Sequence, residues 1–227
     1  MNNPLNTSSA TTNPVAGDTV ADAILAIKAE LRSAMNGITS RTIRDSGMGY
    51  KLIFGVELPR LREIAKEFQA DDLPLRQQNV RRLAMTLWQE DIRECKLLAI
   101  LLYPIAEFDL DMADLWLSDI MPQQAELAQL LSMELLCRLP QAADTAFIMM
   151  ADERPVYQLC GFLTLTRLLM QGVQLSPDSE AEFLDQAAAT LPTEDLPLRK
   201  AVTNALLRFG ERSEEDWKKA EGILNTL

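Results

Sequence analysis

After Val20 apolar residues return every three or four positions, as in Ile24, Ile27, Leu31 and Met35 or Leu83, Leu87 and Trp88, while period-two alternation is scarce. This is the pattern of amphipathic helices following one another. Breakers punctuate it at Gly47 to Gly49, Asp71 with Pro74, Pro104, Pro122, Pro140, Pro155, Gly172 with Pro177, Pro192 with Pro197, and Gly210 with Ser213. Beyond Pro104 the segments between breakers have helix length. The stretch from Pro74 to Pro104 holds two helices with a polar break near Gln89 to Asp91.

The helices repeat. LLAILLYP, MELLCRLP, LTLTRLLMQG and AVTNALLRFG end at Pro104, Pro140, Gly172 and Gly210, at intervals of 36, 32 and 38 residues, which is one helical hairpin per interval. The pentapeptide Asp72-Leu73-Pro74-Leu75-Arg76 returns as Asp195-Leu196-Pro197-Leu198-Arg199, and in each the Asp is placed as an N-cap ahead of a first-turn Pro. The predicted fold is therefore all-α, an α-α superhelix (solenoid) of HEAT-like antiparallel helix pairs. Val20 to Ser40 and Ser213 to Leu227 form its end caps. A helix pair cannot bury its apolar face alone, so pairs stack, and the small rotation per unit leaves a concave surface suited to a long ligand. Residues 19–227 are expected to form one repeat domain. Residues 1–18, rich in Asn, Thr, Ser and Pro and without the basic start or apolar block of a secretory signal, read as a disordered tail.

Composition narrows the chemistry. No run approaches the roughly 20 apolar residues of a spanning helix, so no membrane partner is expected. Cys95, Cys137 and Cys160 are odd in number and embedded in apolar helical patterns, which suits reduced core thiols and a cytoplasmic location. With no histidine and no CxxC, neither a metal nor any other cofactor is expected, and hydrolytic chemistry would rest on carboxylates. Trp88, Trp116, Met149, Met150 and Met170 read as core, and Trp217 as cap packing.

The net charge of −11 is unevenly placed: residues 1–100 carry 13 Lys/Arg against 12 Asp/Glu, whereas residues 101–227 carry 9 against 21. General attraction to phosphate is thus not expected of the second half, and a local basic face in the first half is the expected way to bind it. Its cations group as Arg41, Arg44 and Lys51, then Arg60, Arg62 and Lys66, then Arg76, Arg81 and Arg82. One reading is a solvated helix face with ion pairs such as Arg60–Glu63 and Glu63–Lys66. The other is a phosphate-contacting stripe, with Arg41, Arg44, Lys51, Arg76, Arg81 and Arg82 as the candidate DNA-binding residues. Arg93 and Glu94 stand between two strongly apolar segments, where hydrogen bonding between repeats is the ordinary role. The carboxylate pairs Glu90/Glu94 and Asp111/Asp114 read as helix surface.

Phe54-Gly55-Val56-Glu57-Leu58-Pro59-Arg60-Leu61-Arg62-Glu63-Ile64-Ala65-Lys66, then Leu87-Trp88, then Ile92-Arg93-Glu94-Cys95-Lys96-Leu97-Leu98-Ala99 resembles the AlkD-like DNA alkylation repair proteins, whose pattern is GV-x-x-P-x-x-R, then LW, then RE before an apolar helix. The resemblance is clear over Met48 to Tyr103 and looser over Gln123 to Gln171. It implies a superhelix of HEAT-like pairs that binds duplex DNA on its concave face. In active members it implies hydrolytic release of alkylated purines by a Trp and an Asp one turn apart on a mid-chain helix, with a further Trp later. Here the matching segment Pro122 to Leu131 has no Trp or Asp, only Glu126, and Asp152 to Gly161 offers Tyr157 and no Trp. The family's catalytic residues do not carry over, and the catalytic set is unknown. A DNA-binding or repair-accessory protein for duplex or branched DNA, with lost or altered base-excision chemistry, is the leading expectation. An alkylpurine DNA glycosylase with a rearranged site using Glu126, and a HEAT-repeat scaffold for a protein partner, are the alternatives.

Overall fold

The computed structural model describes residues 19–69 and 77–226, and among them twelve α-helices and one isolated parallel bridge, Leu52 with Ile92. The expected tail at residues 1–18 and the first DLPLR copy, with Asp72 and Arg76, lie outside the described residues.

The chain runs α1 (Val20–Ser33), α2 (Gly37–Asp45), α3 (Leu58–Gln69), α4 (Gln77–Trp88), α5 (Arg93–Leu102), α6 (Leu110–Asp119), α7 (Ala125–Glu134), α8 (Ala142–Met150), α9 (Pro155–Met170), α10 (Pro177–Thr190), α11 (Leu196–Gly210) and α12 (Glu214–Leu224). Among the described residues the breakers fall where the sequence places them; Asp71 with Pro74 lies outside those residues. The predicted polar break separates α4 from α5. Asp195 caps α11 by accepting from Leu198 N at 2.9 Å, with Pro197 in the first turn. The N-terminal cap divides into two helices, because Asn36 accepts from Ile38 N and Thr39 N and starts α2 afresh.

The helices form two layers. α3, α5, α7, α9 and α11 touch one another in an unbroken row, while α4, α8 and α10 pack against that row and the backbones of α4, α6, α8 and α10 stand farther apart, α4 and α6 meeting through a pair of tryptophans. An array packed closely along one layer and loosely along the other curves around the close layer, so the row is the inner, concave side.

The core runs through the whole array. Its largest feature is aromatic: Trp88 of α4 and Trp116 of α6 stack with centroids 4.4 Å apart, and Tyr103 meets Trp116 edge-on. Both indoles are buried, as expected, and so are Met149 and Met150. Met170, expected in the core, is exposed, because it lies on the free side of the last turn of α9.

Candidate nucleic-acid interface

The segment before α3 carries the first of the quoted motifs, and the structure shows what holds it. Gly55 sits at φ +77°, a conformation that disfavours any side chain. A Cβ there would stand 2.5 Å from Ser40 N and closer still to the Asn36 carbonyl oxygen. The loop is gripped from α5: fully buried Glu94 accepts from Phe54 N at 3.0 Å and Gly55 N at 2.9 Å. Arg93 donates to Glu94 at 3.0 Å, to the Val56 carbonyl at 3.2 Å, and with Nε and Nη2 to Glu126 on α7 at 2.8 to 3.0 Å. Tyr50 donates to the same Glu126 at 3.2 Å, and burial, then the Glu126 charge, push its hydroxyl pKa up. Arg93 and Glu94 thus have the inter-repeat role expected of them.

This clamp decides the chemistry open to Glu126. Both of its oxygens accept from one planar guanidinium, the bidentate geometry that fixes a carboxylate most firmly. A carboxylate so neutralised offers little negative field to a developing sugar cation, and no aromatic face stands one turn away to share the work.

The expected pairing of Glu90 and Glu94 on a helix surface does not occur. Glu94 is buried in the clamp, and Glu90, outside any helix, binds Lys28 at 2.7 Å. The neighbouring buried cation, Lys96, donates to Asp119 at 2.7 Å with its ammonium 4.6 Å from the Trp88 ring centroid. The thiols of Cys95 and Cys160 are pushed up to about 12, chiefly by burial, and no group of three or more potential metal ligands converges among the described residues.

The five described cations of the six expected to contact DNA do not form one stripe. Arg41, which faces Asp45 at 3.7 Å, and Arg44 lie on α2, and with Lys51 they stand toward the loop gripped by the N-terminal end of α5. Arg81 and Arg82 lie in the second turn of the outer helix α4, toward the opposite end of the α4–α5 hairpin, where Arg81 meets Glu107 at 3.4 Å. Arg76 is outside the described residues.

A different row of cations follows the inner layer. Lys66 stands in the last turn of α3, Arg138 in the turn that continues α7, Arg167 in the last turn of α9 and Arg208 in the last turn of α11. Cations at helix C-termini also complement the helix dipole, worth about 0.3–1 kcal/mol each. Dipole complementation alone would not distinguish the layers, yet the last turns of α4, α6, α8, α10 and α12 carry none.

Lys66, Arg138 and Arg167 have no carboxylate within 4 Å among the described residues; the expected Glu63–Lys66 pair is absent because Arg60 takes Glu63 at 2.9 Å. Arg167 keeps its Nε buried without a hydrogen-bond partner, beside Cys137. The signal was present in the sequence, since three of the four repeat segments, MELLCRLP, LTLTRLLMQG and AVTNALLRFG, carry one Arg near their ends. Arg138, Arg167 and Arg208 escaped notice because the acidic surroundings of the second half hide them in any count of charge.

Helix pairs stacked one upon the next in this way define a HEAT-like repeat solenoid. The family model described as DNA alkylation repair enzyme matches residues 27–220, and the chain belongs to that family. A solved structure described as a new family of proteins related to the HEAT-like repeat DNA glycosylases with affinity for branched DNA structures has the same fold, with a TM-score of 0.68 at 17% identity, covering 88% of this chain and 80% of that one. No curated protein matches the sequence. Among the described residues no helix is long and apolar enough to cross a membrane.

Proposed function

We propose that the protein binds DNA, duplex or branched, along its inner row and acts in alkylation repair without base excision at Glu126. The observation that carries this reading is that, from α3 onward, last-turn cations fall only on the inner row, beyond the Arg32 and Arg44 that end α1 and α2. Neighbouring packed helices lie about 8–10 Å apart. The row from α3 to α11 therefore extends roughly 30–40 Å, about ten steps of a DNA strand at 3.4 Å each. Family membership and the likeness to a protein with affinity for branched DNA support the reading. The clamp on Glu126 favours lost or altered excision chemistry.

The test is fluorescence anisotropy with labelled duplex and four-way-junction DNA across a salt series. Wild-type affinity should fall steeply with salt, and Lys66→Ala with Arg138→Ala should flatten the log–log slope by about 1.8, two phosphate contacts at about 0.9 each. Arg81→Ala should change it less, because Glu107 already faces that guanidinium. No binding at low salt, or a slope untouched by the double substitution, would refute the proposal.

A further inference from the structure

We infer that the recess where the cation row is interrupted receives one unpaired nucleotide of the bound DNA. The inference rests on the inner row being the DNA-binding face. Of the inner helices from α3 to α11, α5 alone has no last-turn cation in itself or in the turn that continues it. At that point the end of α5 carries no cation, and the wall recedes into an open hollow of about 470 Å³ between α3, α5 and the turn after α7. Half-buried Leu101, Pro104 and Ile105 and exposed Ala106 supply its apolar side. Lys66 flanks it from α3 and Arg138 from beyond α7. The hollow's carboxylate, Glu134, is held by Arg62 at 2.7 Å, so its charge is answered before a phosphate arrives.

The chemistry of the hollow matches a nucleotide in two parts. Cations on both sides suit the phosphates flanking one residue of a strand. An apolar wall between them suits the face of a base, which sheds water on contact. In a paired duplex both faces of each base are covered by stacking, and the wall would meet only sugar and phosphate. Only a base released from its stack offers the matching surface, and burying one face of it against aliphatic side chains is worth roughly tenfold in affinity. The recess therefore selects DNA with an unpaired residue, as at a bulge or a branch point, over continuous duplex.

The experiment compares a duplex carrying one bulged 2-aminopurine with the same duplex fully paired, by anisotropy and by 2-aminopurine emission, using the full chain. The bulged DNA should bind about tenfold tighter, with a change in emission on binding. Ala106→Leu, which fills the hollow, and Ile105→Asn, which makes its wall polar without altering charge, should each abolish that preference while leaving affinity for paired duplex within about twofold; should one variant fail to fold, the other decides. Equal affinity for the two DNAs with a steep salt dependence would overturn the nucleotide recess and leave the DNA-binding face standing. No salt-dependent binding of either DNA would overturn both. Saturable binding of free deoxyadenosine monophosphate that competes with the bulged duplex at comparable concentration would overturn the inference in favour of a free-nucleotide site.

Discussion

Replacing Glu94 with Ala removes the acceptor that closes the loop before α3. Glu94 has no exposed surface, and its two oxygens accept from Phe54 N at 3.0 Å and Gly55 N at 2.9 Å. Each orphaned buried donor costs about 1–3 kcal/mol. Arg93 keeps Glu126 and so adds little of its own. The sum is about 4 kcal/mol, roughly a quarter or more of the stability of an ordinary domain. Glu94→Gln keeps one acceptor but turns an amide N–H₂ toward a backbone N–H, and should cost about half as much. Urea unfolding followed by the fluorescence of the stacked Trp88–Trp116 pair, with far-ultraviolet circular dichroism as the second probe, measures both. A loss below about 1 kcal/mol for Glu94→Ala with an unchanged m-value would mean that the loop satisfies its donors another way, and the clamp would lose its role.

Gly55→Ala should destabilise by at least about 2 kcal/mol in the same urea assay, since it combines positive-φ strain with a collision against Asn36 and Ser40 backbone; a loss under about 0.5 kcal/mol would refute the close approach. The Tyr157 hydroxyl, held up at about 12 by burial and then by its bond to Asp114 at 2.5 Å, ionises at 10.0 when free. Its folded value is the higher, so its contribution to stability is complete below pH 10 and is lost as pH rises through about 12. Tyr157→Phe should therefore lose less stability than wild type between those values, and parallel pH–stability curves would refute the linkage.

Sequence and tertiary structure divide this protein along a clear physical line. Helix boundaries, the Asp195 cap, the buried tryptophans and the paired-helix repeat are local or periodic properties, written in residue spacing, so the sequence alone determines the all-α solenoid. The motif residues Gly55, Arg93 and Glu94 were visible in the chain as well, but their joint purpose required knowing that Phe54 and Gly55 face α5 across about forty positions. Charge behaved differently. Counting along the chain credited the first hundred residues with the basic face, whereas folding splits Arg41, Arg44 and Lys51 from Arg81 and Arg82 to opposite ends of one hairpin. Stacking instead brings Lys66, Arg138, Arg167 and Arg208, dispersed over 143 positions, into one row. Which cations share a face depends on the layer each helix joins, and that is settled by packing between helices rather than by the order of residues within them.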